Sequence, residues 1–169
     1  GSSGYMELTA ASGTIEIIND AAGVSTGAAD NAGDIIFEAQ GTDSDVKINE
    51  VVSSKTGEIT ISANDMIKNT AAIKTTQTAN ITLNAGDNVD QDADISSDGG
   101  QISINAAAGS IDMADGTSTS SASGSGTIDL TAQTNVLLSI LNAATTIDVT
   151  ATTGSITEQL SSGSEDANM

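Results

Sequence analysis

A five-residue motif of alternating apolar and polar residues that ends in alanine recurs seven times, and it constrains the fold more than any other feature of the chain. The copies occupy residues 6–10, 35–39, 59–63, 81–85, 102–106, 128–132 and 147–151. The first and last copies begin 141 residues apart, which makes six intervals averaging 23.5 residues. Self-similarity at a nearly fixed period indicates a repeat architecture.

Two further apolar positions recur within each period. The second position follows the start of the motif by 8 to 11 residues, at Ile15, Val46, Ile67, Val89, Ile111, Val136 and Ile156. A weaker third position precedes the next motif, at Val52, Ile73, Ile95 and Ile140. Three short strands per period predict a β-solenoid in which each period forms one coil.

The alternation within the motif predicts which side chains are buried. Since successive side chains of a strand point to opposite faces, positions one, three and five face inward, and positions two and four face water. Stacked coils place equivalent residues about 4.8 Å apart, so each inward position becomes a column of similar side chains. The motif alanines are therefore expected to form one column, at a corner with room for only a methyl group. Glycines two residues before five of the seven motifs, at 4, 33, 57, 100 and 126, predict turns with positive φ or close backbone approach.

Composition excludes several classes of function. The chain has no His, Arg, Cys, Trp or Pro, which removes imidazole bases, thiolate nucleophiles and disulfides. Its 23 acidic and 4 basic residues give a net charge of −19, so we expect no nucleic acid partner. No run of 18 apolar residues occurs, so we expect no membrane insertion. Aromatic residues make up 1%, so the core must be aliphatic.

Two other structural readings compete with the solenoid. High net charge with few aromatics is typical of disordered chains, but disorder does not explain the periodicity. An antiparallel β-sandwich has no reason to repeat one alanine-ended motif at near-constant spacing. A helix is predicted nowhere, and residues 135–144 are interpreted as two adjacent strands.

The repeat pattern also divides the chain. Residues 1–4 (Gly-Ser-Ser-Gly) are interpreted as an expression-vector remnant, and residues 5–160 as a single solenoid domain. Residues 161–169 would form a tail that leads to a next coil or is disordered. Two longer periods carry small and polar insertions, at residues 18–32 and 114–125, which are expected to protrude as surface loops.

The repeats, with sequences such as Leu8-Thr9-Ala10 and Gly109-Ser110-Ile111, resemble the repeat regions of very large bacterial surface exoproteins of the filamentous-haemagglutinin-like type. The resemblance implies a right-handed parallel β-helix, here of about seven coils with roughly 23 residues each. It implies a non-catalytic structural or adhesive module at the cell surface or outside the cell, which mediates cell attachment or cell–cell contact. Expected partners are a cell-surface receptor or glycan, neighbouring repeats of the same polypeptide, and a second copy bound end to end.

One acidic cluster suggests a metal. Asp90, Asp92 and Asp94 have the alternating carboxylate spacing of a calcium loop, and calcium is the one candidate cofactor. Ile95 and Gln101 stand where an EF-hand requires glycine and glutamate, so a solvated acidic turn is the competing interpretation. The alternative function is accordingly a calcium-dependent module that binds a surface or a glycan.

Other outward residues carry weaker hypotheses. Lys68 shares an outward column with Asp90, so the two are expected to form a surface ion pair worth about 0–1 kcal/mol. Asp129 and Asp148 lie on neighbouring coils and could meet the two-carboxylate requirement of a glycosidase. No basic or aromatic residue accompanies them, so no enzyme is predicted. Ice binding by stacked Thr-x-Thr rows is not favoured, because no motif has threonine at both outward positions.

Overall fold

A computed structural model describes residues 5–18, 24–25 and 33–159 of the chain. These residues form twenty short β-strands, numbered along the chain, and no helix. The strands belong to three sheets in which every pairing is parallel, and successive strands pass from one sheet to the next. The expected parallel β-helix is therefore confirmed.

Within the described residues, the first and second sheets have seven strands each and the third has six. The first sheet contains β1 (Met6–Ala10), β4 (Ile35–Ala39), β7 (Ile59–Ala63), β10 (Ile81–Ala85), β13 (Gln101–Ala106), β16 (Thr127–Ala132) and β19 (Thr146–Ala151). The second contains β2 (Ile15–Ile17), β5 (Val46–Ile48), β8 (Ile67–Asn69), β11 (Val89–Gln91), β14 (Ile111–Met113), β17 (Val136–Leu138) and β20 (Ile156–Glu158). The third contains β3 (Val24–Ser25), β6 (Val52–Ser54), β9 (Ile73–Thr75), β12 (Ile95–Ser96), β15 (Ser118–Ser121) and β18 (Ile140–Ala143).

The number of complete turns is slightly smaller than the number of motifs. The solenoid makes about six turns of about 22 residues each, against the expected seven coils of roughly 23. The difference arises because, within the described residues, the seventh motif is followed by a strand of the second sheet but by no strand of the third.

The motif alanines stack in register along the first sheet, as expected. Each pairs with the alanine of the next coil, in the order Ala10, Ala39, Ala63, Ala85, Ala106, Ala132 and Ala151. The five inner members are at most 6% exposed. Each alanine ends its sequence motif, and the chain then bends towards the second sheet. A methyl group is therefore the side chain that packs at this corner.

The inward columns fill the interior with aliphatic side chains. The central column of the first sheet runs through Leu8, Phe37, Ile61, Leu83, Ile104, Leu130 and Val149. Its five inner members are at most 1% exposed, and Phe37 is the one aromatic residue of the core in the described part of the chain. Proline is absent from the chain, as suits strands whose backbone N–H groups bond to the next coil.

Two glycines before the motifs are required by close packing rather than by φ. A Cβ atom on Gly57 would lie 2.2 Å from the carbonyl oxygen of Gly33, and one on Gly100 would lie 2.2 Å from that of Ala79. Neither has a positive φ. The sequence left two explanations for these glycines, a positive φ and a close backbone approach. The structure supports the second, because successive coils approach each other closely at the corner between the third and first sheets.

Buried hydroxyl groups brace the same corner. Ser97 Oγ donates a hydrogen bond to the backbone oxygen of Ala79 at 2.8 Å and accepts one from the N–H of Gly100 at 2.9 Å. Ser54 Oγ accepts from the N–H of Gly57 at 2.9 Å in the same way. Both serines are at most 5% exposed. A short polar side chain carries no apolar signal, so hydrophobic alternation does not identify these serines as buried.

The prediction that residues 114–125 form a protruding surface loop is wrong. These residues contain β15, whose Thr119 and Ser121 are fully buried. Thr119 Oγ1 donates to the side-chain oxygen of Gln91 across the core at 2.9 Å. The stretch lacks large apolar residues, so its strand is stabilised by buried hydroxyl groups that hydrogen-bond internally, which hydrophobic periodicity does not detect.

Two other expectations concern the third sheet. Val24 and Ser25 of the expected loop at residues 18–32 form β3, and most of the remaining loop lies outside the described residues. Ile140 is not an inward residue: it is 53% exposed, and Leu141 instead pairs with Thr119 in the buried column.

The predicted strand pair within residues 135–144 is confirmed as β17 and β18. The assignments to residues 1–4 and 161–169 lie outside the described residues.

Candidate functional site

Charged side chains are arranged in outward columns along the second sheet. One column runs through Glu16, Lys47, Lys68, Asp90, Asp112, Leu137 and Thr157. The side-chain nitrogen of Lys68 lies 3.6 Å from a carboxylate oxygen of Asp90, which confirms the expected pair. It lies still closer to Asp92, at 2.6 Å. The hydrogen bond that Lys68 donates to Asp92 raises the pKa of Lys68, and partial burial lowers it by a smaller amount.

The three aspartates proposed for calcium do not converge on one point. Asp90 and Asp92 both turn to Lys68, whereas Asp94 accepts hydrogen bonds from the backbone N–H and the hydroxyl of Ser118, at 2.8 and 3.0 Å. Lys68 thus occupies the position between two of the carboxylates where a cation would bind. In the described ranges, no group of three acidic residues has a geometry that could hold a metal ion.

The calcium hypothesis stays a prediction with a direct test. If calcium binds at Asp90 and Asp92, it must displace Lys68, and adding calcium chloride should raise the melting temperature (Tm) of the protein. The double variant Asp90→Asn/Asp92→Asn should lose that rise. An equal concentration of magnesium chloride controls for ionic strength, and an unchanged Tm with calcium would remove the hypothesis.

A second acidic cluster lies at the corner between the first and second sheets. We call Asp43, Asp45, Asp65 and Asp87 the acidic corner. Partial burial, together with the negative charges of Asp45, Asp87 and Asp43, raises the pKa of Asp65 above its ordinary value. Lys47 lies 3.3 Å from Asp45 and neutralises part of this charge. The corner therefore carries like charges that oppose folding at neutral pH.

The raised pKa predicts a stability maximum below neutral pH. Because the folded state binds the Asp65 proton more tightly than the unfolded state does, stability increases as pH falls from 7 through the folded pKa. The gain levels off below the ordinary aspartate value of 3.8. Burial and the charge of Asp90 also raise the pKa of Asp112, so this residue contributes to the same pH dependence of stability.

Thermal melts between pH 7 and pH 4 would measure this effect. Asp65→Asn, which mimics the protonated form, should raise Tm at pH 7 and reduce the gain seen on acidification. Asp115→Asn removes the same charge at a turn after β14 and serves as the matched control. A larger Tm increase in the control than in Asp65→Asn would contradict the role of the acidic corner.

Grooves follow the solenoid surface across several coils in the described part of the chain, and two of them are considered as candidate sites. The larger, of about 410 Å³, lies near the corner between the third and first sheets and is lined mainly by Lys74, Thr76, Ser96, Asp98, Ser120 and Ser123. The second, of about 300 Å³, follows the corner between the first and second sheets, and we call it the amide groove. Its polar lining consists of Glu38, Gln40, Ser62, Asn64, Asn84 and Asn105.

The amide groove is the candidate site that sequence reasoning missed. Asn84 and Asn105 occupy the fourth position of successive motifs and pair in register between β10 and β13. Their side chains point outward, as the motif predicts. The repetition of asparagine at one outward position was a signal visible in the sequence, although only the structure shows the groove beside it.

Asp129 and Asp148, the carboxylates weighed for glycosidase chemistry, pair in register between β16 and β19. Thr131 and Thr150 form the other outward pair of the same two strands. Among the described residues, no helix is long and apolar enough to cross a membrane.

Comparisons with protein-family models, with curated proteins and with solved structures return no match. The parallel β-solenoid is therefore established from the strand pairing itself.

Proposed function

We propose that the chain is a non-catalytic structural and adhesive module of a large bacterial cell-surface or secreted repeat protein, similar to the filamentous-haemagglutinin-like exoproteins, and that it mediates cell attachment or cell–cell contact. Its place of action is then the cell surface or the extracellular medium. Neighbouring coils of the same polypeptide and a surface receptor or glycan are its partners.

The observation that carries the proposal is the exposure of inward columns at both edges of the stack. Leu8 on β1 is 44% exposed, and Ile147 on β19 and Ile156 on β20 are 45% and 47% exposed. Members of the same columns inside the stack are almost fully buried. Further coils stacked on these edges would bury these apolar residues, as in longer solenoids. A second copy bound end to end would bury them as well.

The outward faces support a role as a soluble rod. Thr, Ser, Asn, Asp and Glu dominate the outward positions of the motifs, and the chain carries a net charge of −19. Each coil of about 22 residues extends the rod by about 4.8 Å. A solenoid of this kind places a binding surface far from its anchor and offers that surface repeatedly along its length.

The side-chain chemistry of the chain supports a non-catalytic role. His, Arg and Cys are absent, and the four lysines are confined to residues 47–74. Two of these lysines, Lys47 and Lys68, form ion pairs with aspartates. The acid pair Asp129 and Asp148 lies far along the sequence from any basic residue.

Attachment of protein-coated beads to cells tests the proposal. Fluorescent beads carrying the intact protein should bind saturably to bacterial or host cells, and free protein should compete. Beads carrying Leu83→Asp, which places a charge in the buried column and should not fold, give the matched control. Equal binding of both bead types, or no binding to any cell type, would contradict an adhesive role.

A further inference from the structure

Asparagine is an unfavourable choice at the two central positions of the amide groove. Asn84 and Asn105 lie on the outward face of β10 and β13, where β-branched residues such as threonine stabilise a strand better. The equivalent residues in neighbouring coils include Ser62, Thr131 and Thr150. The two asparagines therefore reduce strand propensity without an evident need for their amide groups in the sheet.

Most other described asparagines hydrogen-bond to the protein through their side chains. The asparagines that do so are Asn49, Asn64, Asn69, Asn80, Asn88 and Asn135. For example, Asn88 and Asn135 accept hydrogen bonds from the backbone N–H groups of Ser110 and Ser155, at 2.8 and 3.0 Å. These amides stabilise the solenoid by joining one coil to the next.

Asn84 and Asn105 differ from this group. Within the part of the chain that the structure describes, neither side chain makes a hydrogen bond to the protein, and Asn142 on β18 is the only other asparagine of this kind. Asn142 does not line the amide groove. Two adjacent and unused amides in one groove are therefore available to an external ligand.

The surroundings of the two amides form a continuous polar track. Ser62 and Glu38 extend the same outward column towards the first coil, so the track crosses four coils at intervals of about 4.8 Å. On the other side of the groove, the side-chain nitrogen of Asn64 donates to the backbone oxygen of Gln40, which fixes that wall. The track therefore presents evenly spaced donors and acceptors along the solenoid axis.

We propose that the amide groove binds a linear, neutral polysaccharide that lies parallel to the solenoid axis, an inference that rests on the adhesive function proposed above. An amide offers both a donor and an acceptor, as does each sugar hydroxyl, so one amide pairs with two neighbouring hydroxyl groups. Glu38 adds acceptors only, whereas Ser62 both donates and accepts. A polyanionic glycan is disfavoured because the chain carries a net charge of −19.

Affinity electrophoresis tests the ligand class. The intact protein is run in native gels that contain hydroxyethyl cellulose, galactomannan, xylan or dextran, and in gels that contain polygalacturonate. We expect retardation by at least one neutral polymer and none by polygalacturonate. Absence of retardation by all four neutral polymers, or retardation by polygalacturonate alone, would overturn the proposal.

Matched variants test the site. Asn84→Thr/Asn105→Thr should weaken the apparent affinity at least tenfold, while Tm stays unchanged or rises, because threonine suits a strand better. Asn142→Thr makes the same change on the third sheet and should bind like the unmodified protein. Equal retardation of the double variant and the unmodified protein would place the ligand elsewhere and refute the groove.

The bead assay separates this inference from the function on which it rests. If beads carrying Asn84→Thr/Asn105→Thr attach to cells as well as unmodified beads do, the adhesive role stands and the groove is not its ligand site. That result would indicate another surface or a protein receptor. If unmodified beads fail to attach, the adhesive role itself fails, whatever the gels show.

Discussion

Deleting residues 59–80 should give a shorter protein that still folds cooperatively. The deletion removes β7, β8 and β9, which form one complete turn, and it joins Glu58 directly to Ile81. Since Ile59 pairs with both Ile35 and Ile81, the new neighbours Ile35 and Ile81 belong to the same inward column. Coils interact mainly with adjacent coils, so the remaining stack keeps its interfaces.

The expected stability change is modest. At about 0.05–0.15 kcal/mol per residue, one turn contributes about 1–3 kcal/mol. This corresponds to a decrease in Tm of about 10 °C or less. The deletion also brings Lys47 next to Asp90 in the outward column, where it replaces the lost Lys68.

A half-turn deletion provides the control. Removing residues 59–69 eliminates β7 and β8 but keeps β9, so the third sheet retains a strand for which the other two sheets have no counterpart. The inward columns of the three sheets can then no longer stay in register. We expect the cooperative thermal unfolding transition, measured by circular dichroism, to be lost. Equal stability of the two deletions, or unfolding of the full-turn deletion, would contradict the solenoid account.

Replacing Leu83 by alanine should destabilise the protein by about 2–5 kcal/mol. Leu83 is fully buried in the central column of the first sheet, between Ile61 and Ile104. Truncation leaves a cavity that rigid neighbouring coils cannot fill, because each is hydrogen-bonded to the next along the whole sheet. Urea titration followed by circular dichroism measures the change in the free energy of unfolding.

The same column supplies a matched control at its edge. Leu8 has the same side chain and the same inward position, but it is 44% exposed because β1 is the first strand of the sheet. Leu8→Ala should therefore cost about 1 kcal/mol or less. If both variants lose equal stability, the edge of the first sheet is covered and the observation behind the proposed function is wrong.

The inward columns could be predicted from the sequence because hydrophobic alternation determines them. The alanine column and the second-sheet positions from Ile15 to Ile156 were correctly located, since a one-residue shift would turn every apolar side chain outward. The Lys68–Asp90 pair followed from the same register.

Features that depend on buried polar groups could not be predicted in this way. Thr119 and Ser121 lie in the core although hydropathy assigns them to a loop, because their hydroxyl groups hydrogen-bond to Gln91 and to the backbone oxygen of Gly100. Leu141 rather than Ile140 faces inward because β18 pairs in register with β15. Because Ile140 and Leu141 are adjacent and both apolar, the alternating pattern alone cannot show which of them faces inward.

The amide groove could not be predicted from the sequence for a similar reason. Whether an asparagine braces the fold or remains available to a ligand depends on its hydrogen-bond partners in the neighbouring coil. Asn80 bonds to Glu58 and to the N–H of Gln101, whereas Asn84, four residues later, makes no such bond within the described residues. Side-chain type alone does not separate these two roles.

The most direct test of the central claim is a nuclear Overhauser experiment on protein with isotope-labelled alanine methyl groups. Stacking in register places the methyl groups of Ala63, Ala85 and Ala106 about 4.8 Å apart, with Ala39 and Ala132 continuing the column. The account predicts cross-peaks between each of these alanines and the next, in that order along the column. Resolved methyl signals without such cross-peaks, or with contacts in a different order, would contradict the parallel solenoid.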